Sequence, residues 1–120
     1  MEEKHILGKK GETIAKEYLL EKSYSIVEKN WRYVKAEIDL IAKKEDVIVF
    51  VEVKTRSSNN YGDPESFVSD RQQKMIINAA NEYIMKNDIE HEARFDIISI
   101  IISNKTEDIK HIEGAFYPTL

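Results

Sequence analysis

Apolar and polar positions along this chain change period several times, and each change marks an element. Between residues 8 and 22, with Leu7 leading in, the apolar positions Ile14, Ala15, Tyr18 and Leu19 recur at helical spacing. That pattern predicts an amphipathic helix with one buried face. Ser23-Tyr24-Ser25 breaks it, and three strand-like segments follow at 24–33, 36–43 and 46–54. The polar turn Lys44-Glu45-Asp46 predicts that the last two form a hairpin. Residues 47–53 read Val-Ile-Val-Phe-Val-Glu-Val, apolar on both faces, as in a strand inside a sheet. A polar loop is predicted over 55–66, then a second helix that opens on Ser69 with Gln72 placed as a capping box. Its core stripe is Ile76, Ala79, Ala80, Tyr83 and Ile84, and Asn87-Asp88 ends it. A strongly apolar strand over 94–102 and a weaker edge strand over 108–113 complete the chain. The order α-β-β-β-α-β-β predicts an α/β fold, a mixed sheet flanked by helices, in one domain spanning 1–120.

Charge interrupts the apolar pattern where a core would not tolerate it. Burying an unpaired carboxylate at Glu52 costs several kcal/mol unless a cation or strong donors compensate it. Strand alternation sends Lys54 to the same face, and Asp39, on the neighbouring strand, reaches the same patch. Two acids and a lysine suit a divalent cation and a phosphate. Magnesium prefers carboxylate and carbonyl oxygens and keeps several waters, so two acids with one backbone carbonyl make a sufficient cage. A nearby lysine orients water or balances charge on a phosphate. An inter-strand ion pair on a solvated sheet face is the bland alternative, and the apolar run around Glu52 counts against it.

The remaining candidates are weaker. Glu12 sits at the border of the helix's apolar face, where it is either a further ligand or a boundary acid favoured by the helix dipole. Glu37 shares a strand face with Asp39 by alternation, as an auxiliary ligand or an exposed acid. Arg56, Arg71 and Lys74 are candidate phosphate contacts, with solvated surface positions as the alternative. Gln73 falls on the buried side of the second helix, to point at the site or to satisfy backbone groups. Tyr61, in Tyr61-Gly62-Asp63-Pro64, is either a ring that stacks on a base or part of a plain surface turn. Arg94 and Asp96 read as a same-face ion pair, while His5, His91 and His111 show no ligand spacing.

Composition narrows the class. With 120 residues, 42% hydrophobic and 33% charged, the chain has the make-up of an ordinary globular protein and is too apolar for disorder. It has no cysteine, which excludes zinc–thiolate sites and disulfide scaffolds. The run from Ile97 to Ile102 is too short to span a bilayer, and no apolar segment follows the charged start Met1–His5. No membrane association and a cytoplasmic location are therefore expected. A net charge of −4 counts against a protein that coats nucleic acid, because such affinity is mostly phosphate neutralisation. It leaves room for a nuclease whose Glu12, Asp39 and Glu52 are neutralised by metal.

Several segments together resemble one family. Gly11-Glu12 with Ala15 and Tyr18-Leu19, Asn30-Trp31-Arg32, Glu37-Ile38-Asp39-Leu40-Ile41 and Phe50-Val51-Glu52-Val53-Lys54-Thr55-Arg56 carry most of the likeness. Tyr61-Gly62 with Pro64, Ala79-Ala80, Arg94-Phe95-Asp96 and Ala115-Phe116 extend it over nearly the whole length. The chain resembles the bacterial YraN-like family, which is similar to the restriction-endonuclease-like superfamily near the archaeal Holliday junction resolvases. The resemblance implies an αβββαβ core and a Mg²⁺- or Mn²⁺-dependent DNA endonuclease, with branched or damaged DNA as the substrate class. By position it makes Asp39, Glu52 and Lys54 catalytic, and Glu12, Asp39, Glu52 and the Val53 carbonyl metal ligands. Arg56, Tyr61 and Gln73 become substrate contacts, and a homodimer follows by analogy. Ile38 stands where a proline often precedes the aspartate, and Gln72 where family members often carry lysine. The competing readings are a nucleic-acid-binding protein with vestigial or partner-dependent chemistry, and a protein-interaction module with a structural acidic cluster.

Overall fold

The computed structural model describes residues 2–57, 68–104 and 106–118. Its elements run in the expected order: α1 (Glu2–Glu21), β1 (Ser25–Tyr33), β2 (Ala36–Lys44), β3 (Val47–Arg56), α2 (Asp70–Lys86), β4 (Glu92–Ile102) and β5 (Glu107–Phe116). The strands form one mixed sheet in sequence order, with β3 and β4 parallel and every other neighbouring pair antiparallel. The parallel step is where α2 lies in the sequence, as a crossover between parallel strands requires.

The two helices cover opposite faces. Ile14, Ala15 and Leu19 of α1 pack with Leu40, Ala42, Val49, Val51, Ile98 and Ile100. Ile76, Ala79, Ala80 and Tyr83 of α2 pack with Ile41, Ile48, Phe50, Phe95 and Ile97. β3 therefore meets a helix on each side, which is why its sequence is apolar at successive positions. Burying each of these large aliphatic side chains contributes about 1.5–3 kcal/mol. Gly11 lets α1 come down onto β3, because a Cβ there would overlap the Thr55 hydroxyl. At the other end Asn87 caps α2, where the chain stops being helical, and Ile84 is half-buried beside the stripe.

The capping box expected at the start of α2 is only half formed. Ser69 Oγ accepts the Gln72 backbone N–H at 3.1 Å, but the Gln72 side chain reaches Glu52 instead of returning to the cap. The last strand is longer than expected. Its exposed polar residues hide it from a pattern reading, while its ladder with β4 runs from Glu107 to Phe116 across a register shift near Phe95.

One feature of the sheet creates a place for chemistry. β2 and β3 pair only between Leu40↔Val51 and Lys44↔Val47. Beyond that point the sheet forks. Ala36, Glu37 and Ile38 stay with β1, while Glu52 to Arg56 stay with β4. The alternation of β2 slips at the same place, since Ile38 and Ile41 both belong to the α2-side core although Leu40 and Ala42 face α1. The β1 residue opposite the slip, Asn30, has a positive φ of 50°, a backbone state that asparagine tolerates better than most residues.

Candidate active site

The fork holds Asp39 and Glu52. Extending the antiparallel register by one residue past Leu40↔Val51 puts these two opposite one another, where side chains meet across a strand pair. Asp39 Oδ2 accepts the Val53 backbone N–H at 2.7 Å, so its carboxylate takes the place of the missing ladder partner. A strand residue's N–H and C=O point to the same edge, which turns the Val53 carbonyl toward the same opening.

Glu52 is 7% exposed, and its two oxygens differ. Oε2 accepts the Gln72 amide N–H at 2.6 Å and lies 3.5 Å from Lys54 Nζ. Oε1 is buried without a hydrogen-bond partner among the described residues. A buried carboxylate oxygen with no donor is costly in a folded protein, and Asp39, the acid facing Glu52 across the fork, hydrogen-bonds it when the pair holds a proton.

Electrostatics says the same. Burial, reinforced by the negative charge of Glu52, pushes the Asp39 carboxyl up to about 9, against the pull of the Val53 N–H. Glu12 adds a smaller upward push. Burial also raises Glu52, even though its hydrogen bond with Asp39 and the Lys54 ammonium pull it down. Without a cation the pair retains a proton near neutral pH, and a cation placed between the carboxylates would release it.

Two cavities open on the fork. One of about 640 Å³ is lined by Glu12, Asp39, Glu52, Val53, Lys54 and Arg56, among others. The second, of about 320 Å³, lies toward α2 and is lined by Lys35, Glu37, Asp39, Glu52, Gln72 and Met75, among others. The two carboxylates are thus reachable from both sides.

The structure brings Asp39, Glu52, Val53 and Lys54 together, with Glu12 and Arg56 on the wall of the larger cavity. Glu12 Oε1 accepts the Asn30 side-chain amide at 3.1 Å. Among the described residues no three His, Asp or Glu side chains stand together to hold a metal, so Glu12 borders the acid pair rather than joining it. Arg56 also donates to the Thr55 carbonyl at 3.1 Å. Glu37 lines the smaller cavity and pairs with Arg32 at 2.9 Å. Gln73 does not reach the fork: its amide donates to the Val68 carbonyl at 3.1 Å, satisfying backbone. Its neighbour Gln72 is the amide on Glu52, so the polar residue that serves the acids sits one position earlier than the helical stripe suggests. Arg71 and Lys74 are exposed. Tyr61, with Gly62, Asp63 and Pro64, lies outside the described residues.

The residues present fit a divalent cation. Two hard carboxylates and a carbonyl supply the oxygen donors that Mg²⁺ and Mn²⁺ prefer, and Glu52 Oε1 has no donor among the described residues to compete with one.

A second buried acid has a different character. Asp96 is fully buried and fully satisfied, gripped by Arg94 at 2.8 and 2.9 Å, by His111 Nε2 at 2.7 Å and by the Gly114 N–H at 3.0 Å. Burial pushes this carboxyl up, but the hydrogen bonds from His111, Arg94 and Gly114 outweigh it and hold Asp96 below its ordinary value. Arg94 reaches on to Tyr24 at 2.7 Å, and Tyr18 meets His111 Nδ1 at 3.2 Å, tying α1 and its exit turn to β4 and β5. The ion pair expected of Arg94 and Asp96 is the centre of a brace.

Comparison with known proteins agrees with the span of the sequence motifs. Residues 11–100 match the family described as uncharacterised protein family UPF0102. The chain is 49% identical to a UPF0102 protein of Flavobacterium psychrophilum over 98% of both chains. It is 45% identical to a UPF0102 protein of Christiangramia forsetii, again over 98% of both. A UPF0102 protein of Clostridioides difficile is 46% identical over 91% of this chain and 95% of its own. With its motifs, the extent of the match and this degree of identity, the chain belongs to the UPF0102 family, the YraN-like group.

Proposed function

We propose that this protein is a divalent-metal-dependent nuclease of the restriction-endonuclease-like type, hydrolysing phosphodiester bonds in DNA. The observation that carries the proposal is Glu52: a buried carboxylate in a strand apolar on both faces, with one oxygen lacking a donor among the described residues and Asp39 opposite. Asp39, Glu52 and the Val53 carbonyl would hold Mg²⁺ or Mn²⁺. The bound cation would polarise the phosphate and make water a stronger nucleophile at neutral pH. Lys54, on the cavity wall beside Glu52, is placed to orient that water and to balance charge on the phosphate. Asp39 is fixed by the Val53 N–H, so it meets a ligand without reorganising. Glu12 and Arg56 flank the entrance, the acid to hold water and the guanidinium to meet a phosphate. Tyr61 remains part of the proposal as a base-stacking contact. The likeness to junction resolvases extends it to branched DNA and to a homodimer.

The test is a cleavage panel of single-stranded, duplex, flapped and four-way DNA with Mg²⁺ or Mn²⁺. The proposal expects metal-dependent nicking of at least one substrate, lost in Lys54→Ala. If wild type and the variant are equally inert on every substrate with Mn²⁺, the enzyme reading fails. The alternative is a nucleic-acid-binding protein whose nuclease chemistry is vestigial or partner-dependent. Binding of DNA without cleavage in the same panel would support it.

A further inference from the structure

The two oxygens of Glu52 are held unequally, and a residue outside the strand hairpin causes it. Gln72, the third residue of α2, sends its amide N–H to Oε2 at 2.6 Å, the shorter of the two contacts on that oxygen. Its own backbone is fixed, because its N–H is capped by Ser69 Oγ at 3.1 Å. The amide therefore approaches Glu52 from a rigid helix start. Oε2 is occupied from two directions, by Gln72 and by Lys54. Oε1 is buried and has no hydrogen-bond donor among the described residues. Asp39 is treated in the same way, with Oδ2 spent on the Val53 N–H. What remains of the two carboxylates is shared between them as one hydrogen bond, which a cation would replace.

That restriction separates cations by size. Mg²⁺ and Mn²⁺ form compact octahedral shells and are content with one oxygen from each carboxylate, waters making up the rest. Ca²⁺ takes six to eight oxygens and gathers them by accepting carboxylates through both oxygens. Bidentate use of Glu52 would require breaking the Gln72 hydrogen bond in a buried place, where the amide would lose its acceptor.

We propose that Gln72 is a positioning residue that holds Glu52 to ligation through one oxygen, and so tunes the fork for a small octahedral cation against calcium. This rests on the metal-site reading above and adds to it a determinant on α2.

The test is calorimetric titration of Mn²⁺ and of Ca²⁺ into the full chain for wild type, Gln72→Met and Gln72→Lys, without DNA. Methionine keeps length and helix propensity but cannot donate, whereas lysine can. The expected result is that Gln72→Met weakens Mn²⁺ about tenfold, the low end for groups that orient metal ligands, and Ca²⁺ less, so that the Mn²⁺-over-Ca²⁺ preference narrows. Gln72→Lys should restore the preference. A Gln72→Met variant that binds Mn²⁺ with the wild-type preference overturns this inference and leaves the metal site standing. A wild type that binds neither ion overturns both. Unfolding curves in EDTA confirm that each variant is folded before it is titrated.

Discussion

Replacing Asp39 with asparagine should stabilise the protein, and by an amount that grows with pH. The carboxyl is pushed from 3.8 to about 9, first by burial and then by the charge of Glu52. Between those values the folded chain keeps a proton that the unfolded chain has given up. Stability therefore falls as pH rises from about 4 to about 9, and the cost is absent at pH values below both. At about 1.36 kcal/mol per pH unit the full shift would cost about 6 kcal/mol at pH 8. The proton is shared with Glu52 and cavities open on either side, so the gain expected from Asp39→Asn is about 2 kcal/mol at pH 8. Asparagine keeps an oxygen for the Val53 N–H and offers its own N–H to Glu52, replacing the shared proton of the acid pair. In melting temperature the gain is roughly 8 °C for a chain of this size. The assay is urea unfolding followed by circular dichroism in EDTA, from pH 4.5 to pH 8.5. The two stability curves should nearly meet at the acid end and diverge toward the alkaline end. Parallel curves, or a variant less stable than wild type at pH 8, would show that Asp39 does not hold a proton in the folded chain.

Other consequences are as direct. Gly11→Ala places a Cβ on the Thr55 side chain, so α1 must lift from β3 at a cost of about 1–3 kcal/mol, read as a lower urea midpoint at unchanged slope. Asp96→Ala strips the partner from Arg94 and His111 and should destabilise by about 3–5 kcal/mol at pH 7. The wild-type contribution of Asp96 has the opposite pH sense to that of Asp39: it is present at neutral pH and lost as pH falls through its lowered folded value, so the gap between wild type and Asp96→Ala should shrink in acid. Lys54→Ala should leave the fold intact, as measured by circular dichroism, and lower the nicking rate about 100-fold or more.

Which parts of this could be read from residues alone follows from how local each signal is. The apolar run of β3 and the acid inside it are local, so the strand and the anomaly at Glu52 are legible together. The arrangement of Asp39 opposite Glu52 is legible only as proximity, because the fork depends on where β2 leaves β3 for β1. Gln72 and Gln73 show the limit of helical periodicity. One residue of helix rotation separates an amide on the site from one that satisfies a loop carbonyl, and the stripe farther along α2 does not fix that rotation. Asn30 is invisible as a partner of Glu12, since its role requires both its positive φ and the descent of α1 at Gly11. The brace around Asp96 is half legible: Arg94 is two residues away on the same strand, but His111 and Gly114 arrive through the β4–β5 ladder. A polar edge strand offers little pattern to predict that ladder.

Everything proposed for this protein depends on a cation bound between the carboxylates of the fork. The decisive experiment is calorimetric titration of Mn²⁺ into wild type and Glu52→Gln at pH 7, in two buffers of different ionisation enthalpy. Wild type should show one saturable site, with net proton release as the carboxyl pair gives up its proton, and Glu52→Gln should show neither signal. No binding in wild type, or equal binding in the variant, would contradict a cation site in the fork.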